Sequence, residues 1–133
     1  MTGRRSRARW LAPPDVDLAF DHDATAPSRA RRALKPLFPN DGQIADDVAL
    51  VASELVSNVI QHTDNGGALR AWNADPVRLE VDDIDPTMPT PRDEGGPDGG
   101  RGLRIVDQVA DAWGADGDDA GKTLWAEFAR NDT

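Results

Sequence analysis

The stretch IADDVALVASELVSNVIQH, residues 44–62, is the strongest indication of the fold, because its spacing predicts one long amphipathic helix. Ile44, Val48, Val51, Leu55 and Val59 follow one another at intervals of four, three, four and four positions. That is the period of an α-helix with a single apolar face. The sequence DNGG at 64–67 is typical of a helix end. We therefore expect this helix to lie on the core of the domain.

Shorter predicted elements flank this helix on both sides. In chain order we expect a strand at 18–20, a helix at 28–35 after Pro27, the long helix, a strand at 68–74, a strand at 77–84, a helix at 102–113 and a closing strand at 122–129. Helices thus alternate with hairpin strands, and few β-α-β units are predicted. This order predicts an α/β two-layer sandwich, in which a mixed, mainly antiparallel sheet is covered on one face by helices.

Length and composition limit the classes of protein and of site. The chain has 133 residues, 38% of them apolar, which is typical of one globular domain. It has no cysteine, so disulfides and cysteine zinc sites are excluded. Only His22 and His62 are present, which excludes a histidine-rich metal site. No run is long and apolar enough to span a membrane, and we expect a soluble, cytoplasmic protein.

Charge is distributed unevenly along the chain. Residues 1–35 carry a balance of +4 and the remainder −13, for a net charge of −9. An acidic body repels phosphate backbones, so direct nucleic-acid binding is not expected. The basic residues at the start are Arg4, Arg5, Arg7 and Arg9. We expect residues 1–14 to be a flexible basic tail, with a docking arm as the alternative, and residues 15–133 to be a single domain.

Two polar residues lie beside the apolar face of the long helix. Glu54 and Asn58 are four positions apart, so both project from one side. A carboxylate and an amide placed there lose hydration unless they are paired. An amide oxygen suits a hard cation, and a carboxylate can accept a proton from a hydroxyl. The alternative is that both side chains cap a neighbouring loop.

Asp83 is a second polar residue on an apolar face. It alternates in phase with Val77, Leu79 and Val81, so it points to the packed side of its strand. A buried carboxylate needs hydrogen-bond donors. These could be backbone amides of the following turn or the exocyclic amine of a bound base.

A glycine-rich segment precedes the helix predicted at 102–113. Gly100 and Gly102 stand at its start, where backbone amides and the helix dipole can approach an anion. The preceding residues, from 85, form a long loop rich in proline, glycine and aspartate. Loops of that length in a compact domain are usually functional lids or disordered.

Four motifs, in this order, resemble those of the GHKL ATPases, the gyrase, chaperone, histidine-kinase and mismatch-repair group. They are ELVSNVIQHT at 54–63, similar to the family's N-box, VDDIDP at 81–86, similar to its adenine-contacting box, GRGLRIV at 100–106, similar to its second glycine box, and GKTLW at 121–125, similar to its closing strand. The likeness covers about residues 15–130. It is greatest to the small anti-sigma factor and serine-kinase branch of actinobacterial regulators. The fold that the resemblance implies is the Bergerat-type ATP-binding fold.

The resemblance also implies roles for individual residues. Asn58 would coordinate the Mg²⁺ that bridges the phosphates of ATP, and Glu54 would be the general base. Asp83 would accept a hydrogen bond from the adenine amino group, with Thr123 near the base. Gly100 and Gly102 would let a lid at 86–101 wrap the phosphates.

The function implied is that of an anti-sigma factor with serine/threonine-protein kinase activity. Its partners would be a sigma factor and an anti-anti-sigma (STAS-type) protein, and homodimerisation would run through the first helix. Asp85 and Thr87 stand where the family's adenine box has glycine. This departure favours the alternative, a non-catalytic module of the same fold that sequesters a sigma or anti-anti-sigma partner.

Overall fold

The protein is described by a computed structural model at residues 12–39, 42–62, 65–83, 101–118 and 121–130. The elements in chain order are β1 (Val16–Phe20), α1 (Ala26–Leu34), a 3₁₀ turn (Lys35–Leu37), α2 (Gly42–His62), β2 (Gly67–Trp72), β3 (Val77–Asp83), α3 (Arg101–Val109), β4 (Ala112–Asp118) and β5 (Gly121–Phe128). The long helix predicted at 44–62 is confirmed as α2.

The strands form one five-stranded sheet in the order β1-β2-β3-β5-β4. Every pairing among the described strands is antiparallel. The central pair joins β3 to β5, with Val81 opposite Leu124 and Asp83 opposite Lys122. The predicted α/β architecture is confirmed, and the sheet is antiparallel across its described width.

The helices cover one face of this sheet, which we call the helix-facing side. Helix α2 lies on β2, β3 and β5, and it packs against both α1 and α3. The core between the layers is formed by apolar side chains that are nearly inaccessible to solvent, among them Val51, Leu55, Val59, Leu69, Leu79, Val81, Leu124 and Ala126. Alternation along each strand therefore assigns odd-numbered residues of β3 and even-numbered residues of β5 to the helix-facing side.

The other side, which we call the outer face, is polar. Arg78 and Glu80 are fully buried there, and Arg78 Nε donates to Glu80 Oε2 at 3.0 Å. Arg78 also pairs with Glu127 at 2.6 Å and lies over the ring of Trp125, 4.7 Å from its centroid. The alternation predicted for β3 is confirmed. Its polar side chains on the outer face take part in a network of ion pairs.

The helix predicted at 102–113 is wrong at its C-terminal end. Helix α3 ends at Val109, and β4 starts at Ala112. The spacing from Ala110 to Trp113 imitates a helical step, but Trp113 lies opposite Ala126 in the ladder with β5. Its indole Nε1 donates to Asp107 Oδ1 of α3 at 2.9 Å. Pairing with β5 supplies the backbone hydrogen bonds that a further helical turn would have supplied.

The start of the described chain is held against the sheet. The indole of Trp72 donates to the carbonyl oxygen of Ala12 at 2.9 Å, and the Asp15 amide donates to Ala71 O at 2.8 Å. The four arginines of the basic tail lie outside the described residues. Among the residues that are described, no helix is both long and apolar enough to cross a bilayer.

Candidate functional site

Asp83 is the last residue of β3 and lies on the helix-facing side, as its phase predicts. It is only 3% exposed. Its Oδ2 lies 2.8 Å from the ammonium nitrogen of Lys122, which is itself 6% exposed. The two residues are direct partners in the ladder between β3 and β5. A buried carboxylate and a buried ammonium thus meet where the two central strands of the sheet lie side by side.

Thr123 lies on the opposite face of the sheet. Its hydroxyl donates to Asp82 Oδ1 at 2.8 Å, and Asp82 is also bound by the guanidinium of Arg70. Adjacent side chains of a strand point to opposite faces, so the residue that shares a face with Asp83 is Lys122. The prediction that groups Thr123 with Asp83 is not supported by this register.

Asn58 is buried in α2, at 9% exposure, and Glu54 is half-buried one turn earlier. The helix has to bury this side because Leu55 and Val59, next to them, belong to the core. Within the described parts of the chain, neither polar side chain has a hydrogen bond to a neighbouring loop. The pair is therefore placed as the helical spacing predicts, with Asn58 the deeper of the two.

The C-terminal end of α2 lies at the end of the sheet where β1 finishes. His22 follows β1, and its Nε2 is 2.8 Å from the carbonyl oxygen of Ile60. Since Asn58 is two residues before Ile60, the last turns of α2 are held at this end of the molecule.

The same end of the sheet contains Asp83. Phe20 pairs with Gly67, and Ala68 pairs with Asp82. Gly67 makes this junction tight, because a Cβ atom there would lie 2.2 Å from the backbone oxygen of Asp82. The register therefore places the end of β1 and the end of β3 on either side of the start of β2. Asn58, Asp83 and Lys122 thus share one end of the two layers.

The structure describes only part of the predicted glycine-rich segment and lid. Helix α3 starts at Arg101, so Gly102 is its second residue. Its packing against α2 puts it in the same layer as Asn58. Gly100, Asp85 and Thr87 lie outside the described residues, as does the predicted lid apart from residue 101. Their roles stay predictions.

The donors present can be compared with the needs of Mg²⁺ and a nucleotide. Within the described ranges, no three His, Asp or Glu side chains cluster as a metal site. Mg²⁺ commonly takes one or two protein oxygens and completes its shell with phosphate oxygens and water. The single amide oxygen of Asn58 fits that pattern. The carboxylate of Asp83 is a buried acceptor, which suits the exocyclic amine of a nucleotide base.

Lys122 is the site residue that the sequence reasoning missed. The signal was present, because Lys122 alternates in phase with Leu124, Ala126 and Phe128, all buried. A charged residue in an otherwise apolar phase is the same anomaly that identified Asp83. The partner of Lys122 depends on the register between β3 and β5, and no local pattern in the sequence determines that register.

Comparison with known proteins bears on the family of this domain. No curated protein matches the chain. The family model described as "Histidine kinase-like ATPase domain" matches residues 20–128. The match runs from the end of β1 to the end of β5, and it includes α2 and all of the candidate residues. The description indicates ATP as the ligand of such a domain. Because the match spans most of its length, the chain belongs to the histidine kinase-like ATPase domain family.

Proposed function

We propose that this domain binds ATP with Mg²⁺ at the end of the sheet that contains Asp83, and that it phosphorylates a serine or threonine of a protein partner. The observation that carries the proposal is the shared position of Asp83 and Asn58. One contributes an acceptor from the sheet and the other an amide oxygen from the facing helix. Between them they can bind the two chemically different ends of a nucleotide.

The base end of the ligand is assigned to Asp83. Its carboxylate is almost inaccessible to solvent, so a hydrogen bond to it is worth more than one in water. The exocyclic amine of adenine is a donor that a carboxylate can accept.

The phosphate end is assigned to Asn58, Gly102 and α3. The whole chain has a net charge of −9, so a phosphate chain needs local positive potential. Mg²⁺ would supply most of it by neutralising phosphate charge, and the amide oxygen of Asn58 would be its protein ligand. The first turn of α3, with Gly102 as its second residue, offers backbone N–H groups of the kind that bind phosphate.

Glu54 is assigned the proton transfer. It is half-buried, so a hydroxyl of a partner protein can reach it while its carboxylate stays near Asn58. In the transfer, the hydroxyl oxygen of the partner forms a bond to the γ-phosphorus, the bond from phosphorus to the bridging oxygen of ADP breaks, and Glu54 accepts the hydroxyl proton.

The partner class rests on the resemblance of the four motifs to small anti-sigma kinases. We propose that the domain sequesters a sigma factor, phosphorylates an anti-anti-sigma protein of the STAS type, and works in the cytoplasm as a homodimer formed through α1. Direct contact with nucleic acid is disfavoured by the acidic charge.

Calorimetric titration with ATP in the presence of Mg²⁺ tests the site, using wild type, Asn58→Ala and Asp83→Asn. We expect each substitution to weaken binding at least about tenfold, since each removes a contact to a charged group or to the metal. Unchanged affinity in both variants would contradict the assignment.

Incubation with γ-labelled ATP and purified anti-anti-sigma candidates tests the chemistry. Label on a partner that is lost with Glu54→Ala supports the kinase, provided that the variant still binds ATP. Binding of ATP and of the partner without transfer of label would favour the non-catalytic module.

A further inference from the structure

We propose that Lys122 reads the base of the nucleotide, donating a hydrogen bond to ring nitrogen N1 of adenine while Asp83 accepts from the neighbouring 6-amino group. This inference rests on the proposed function, because it takes the base to bind at Asp83. It adds a specificity-determining residue on β5, a strand to which the sequence motifs assign only Thr123.

The placement of Lys122 supports the assignment. Its ammonium lies 2.8 Å from Asp83 Oδ2 on the helix-facing side, at a position where the next side chains in phase, Leu124 and Ala126, are fully buried. A base that reaches the carboxylate of Asp83 therefore has this ammonium as a direct neighbour.

The chemistry of the pair matches one edge of adenine. That edge has a donor, the 6-amino group, directly beside an acceptor, N1. Asp83 and Lys122 present the complementary order, with an acceptor beside a donor. An ammonium has three N–H donors on a flexible stem, so it can contact the carboxylate and a ring nitrogen together. A 6-oxo purine has the opposite order, an acceptor at position 6 and a donor at N1, and it mismatches the pair at both positions.

Asp82 provides an internal comparison. Both of its carboxylate oxygens are bound by the rigid fork of Arg70, at 2.8 Å each, and Oδ1 also accepts from Thr123. That arrangement is typical of a structural ion pair. The partner of Asp83 is instead a lysine, whose single ammonium can turn toward a ligand. The two neighbouring aspartates therefore differ in the kind of cation that faces them.

The first test uses the wild-type protein and three nucleotides with Mg²⁺: ATP, 1-deaza-ATP, in which N1 is replaced by C–H, and inosine triphosphate. We expect 1-deaza-ATP to bind about tenfold or more weakly than ATP, because it removes the hydrogen bond between the charged ammonium and N1 and turns a buried N–H toward a C–H group. Inosine triphosphate should bind more weakly still. Equal affinity for ATP and 1-deaza-ATP would overturn the role of Lys122.

The second test repeats the comparison of ATP with 1-deaza-ATP in the variant Lys122→Met. This substitution keeps the length of the side chain and removes its donors. The variant should bind ATP about tenfold more weakly and should bind ATP and 1-deaza-ATP equally. A merely structural lysine would lower both affinities and leave their ratio unchanged, and that result would overturn the inference. Lys35→Met, which changes an exposed lysine, is the matched control and should keep the wild-type ratio.

The two proposals fail in different ways. If the wild-type protein binds no ATP, the proposed function fails and this inference fails with it. If it binds ATP without distinguishing 1-deaza-ATP, only the role of Lys122 fails. The measurement on the wild-type protein remains valid even if Lys122→Met does not fold. In that case Lys122→Gln, which keeps an N–H donor, is the second variant. It should retain part of the preference for ATP over 1-deaza-ATP.

Discussion

Asp82 and Asp83 are adjacent in sequence and form ion pairs on opposite faces of the same sheet. Asp82 is bound by Arg70 on the outer face, and Asp83 by Lys122 on the helix-facing side. The backbone alternation of β3 is the cause. One aspartate belongs to a network that stabilises the sheet, and the other lies among the residues of the candidate site. Substitutions at the two positions should therefore have separable effects.

The outer network is expected to contribute strongly to stability. Glu80 is fully buried and contacts both Arg78, at 3.0 Å, and Arg70, at 3.2 Å. Glu80→Gln removes the fully buried charge that these two guanidinium groups share and leaves each with one partly exposed carboxylate, Glu127 or Asp82, so we expect a loss of about 3 kcal/mol in the free energy of unfolding. Urea unfolding measures it. Asp46→Asn, on an exposed part of α2, should change stability by less than about 0.5 kcal/mol. Equal midpoints for Glu80→Gln and wild type would show that the network is not stabilising.

Gly67 is expected to tolerate no side chain. A Cβ atom there would lie 2.2 Å from the backbone oxygen of Asp82, so Gly67→Ala must push β2 away from β3. We expect a destabilisation of about 1–3 kcal/mol. Gly42→Ala is the control, because a Cβ at Gly42 meets no atom within 4 Å. Gly42 is the first residue of α2, so alanine should stabilise the protein there by less than the roughly 1 kcal/mol that it gains over glycine in a helix interior. The midpoint temperature of thermal unfolding should therefore fall for Gly67→Ala and rise for Gly42→Ala. The same shift in both would contradict the close approach.

Much of the fold and of the site was predictable from local pattern. The apolar spacing of α2 fixed that helix, and the phase of Asp83 in β3 placed its carboxylate on the correct face. Asn58 beside the apolar residues of α2 was identified in the same way. In each case one element contains all the information needed.

The features that were missed depend on partners distant in sequence. Strand β4 is set by its ladder with β5, which overrides the helical spacing at Trp113. The contact of Lys122 with Asp83 depends on a register between residues 39 positions apart. A shift of that register by one residue would have placed Thr123 beside Asp83, as the motif comparison suggested.

The start of α1 should respond to acid through Asp23. The backbone amide of Thr25 donates to Asp23 Oδ1 at 2.8 Å, and this bond, with help from the Thr25 hydroxyl and Arg29, lowers the pKa of Asp23 below 3.8. A carboxyl whose pKa is lower in the folded state contributes stability above its unfolded pKa, and this contribution is lost as pH falls through the folded value. A carboxyl-detected NMR titration should show a midpoint below 3.8.

Asp23→Asn provides the check on this assignment. The small difference in stability between this variant and wild type should be present at neutral pH and should disappear below the folded pKa of Asp23. A midpoint above the ordinary aspartate value, or a difference that grows in acid, would contradict the contact with Thr25.

Urea unfolding with and without Mg-ATP, in wild type, Asp83→Asn and Asp82→Asn, shows whether ATP binds on the helix-facing side at Asp83. Ligand at 100 times its Kd should raise the free energy of unfolding by about 2.7 kcal/mol. We predict that rise for wild type and for Asp82→Asn, whatever their stability without ligand. For Asp83→Asn at the same concentration we predict at most about 1.4 kcal/mol, because an affinity at least tenfold weaker leaves the ligand at no more than about ten times its Kd. An equal rise in Asp83→Asn, or no rise in wild type, would show that ATP does not bind at Asp83.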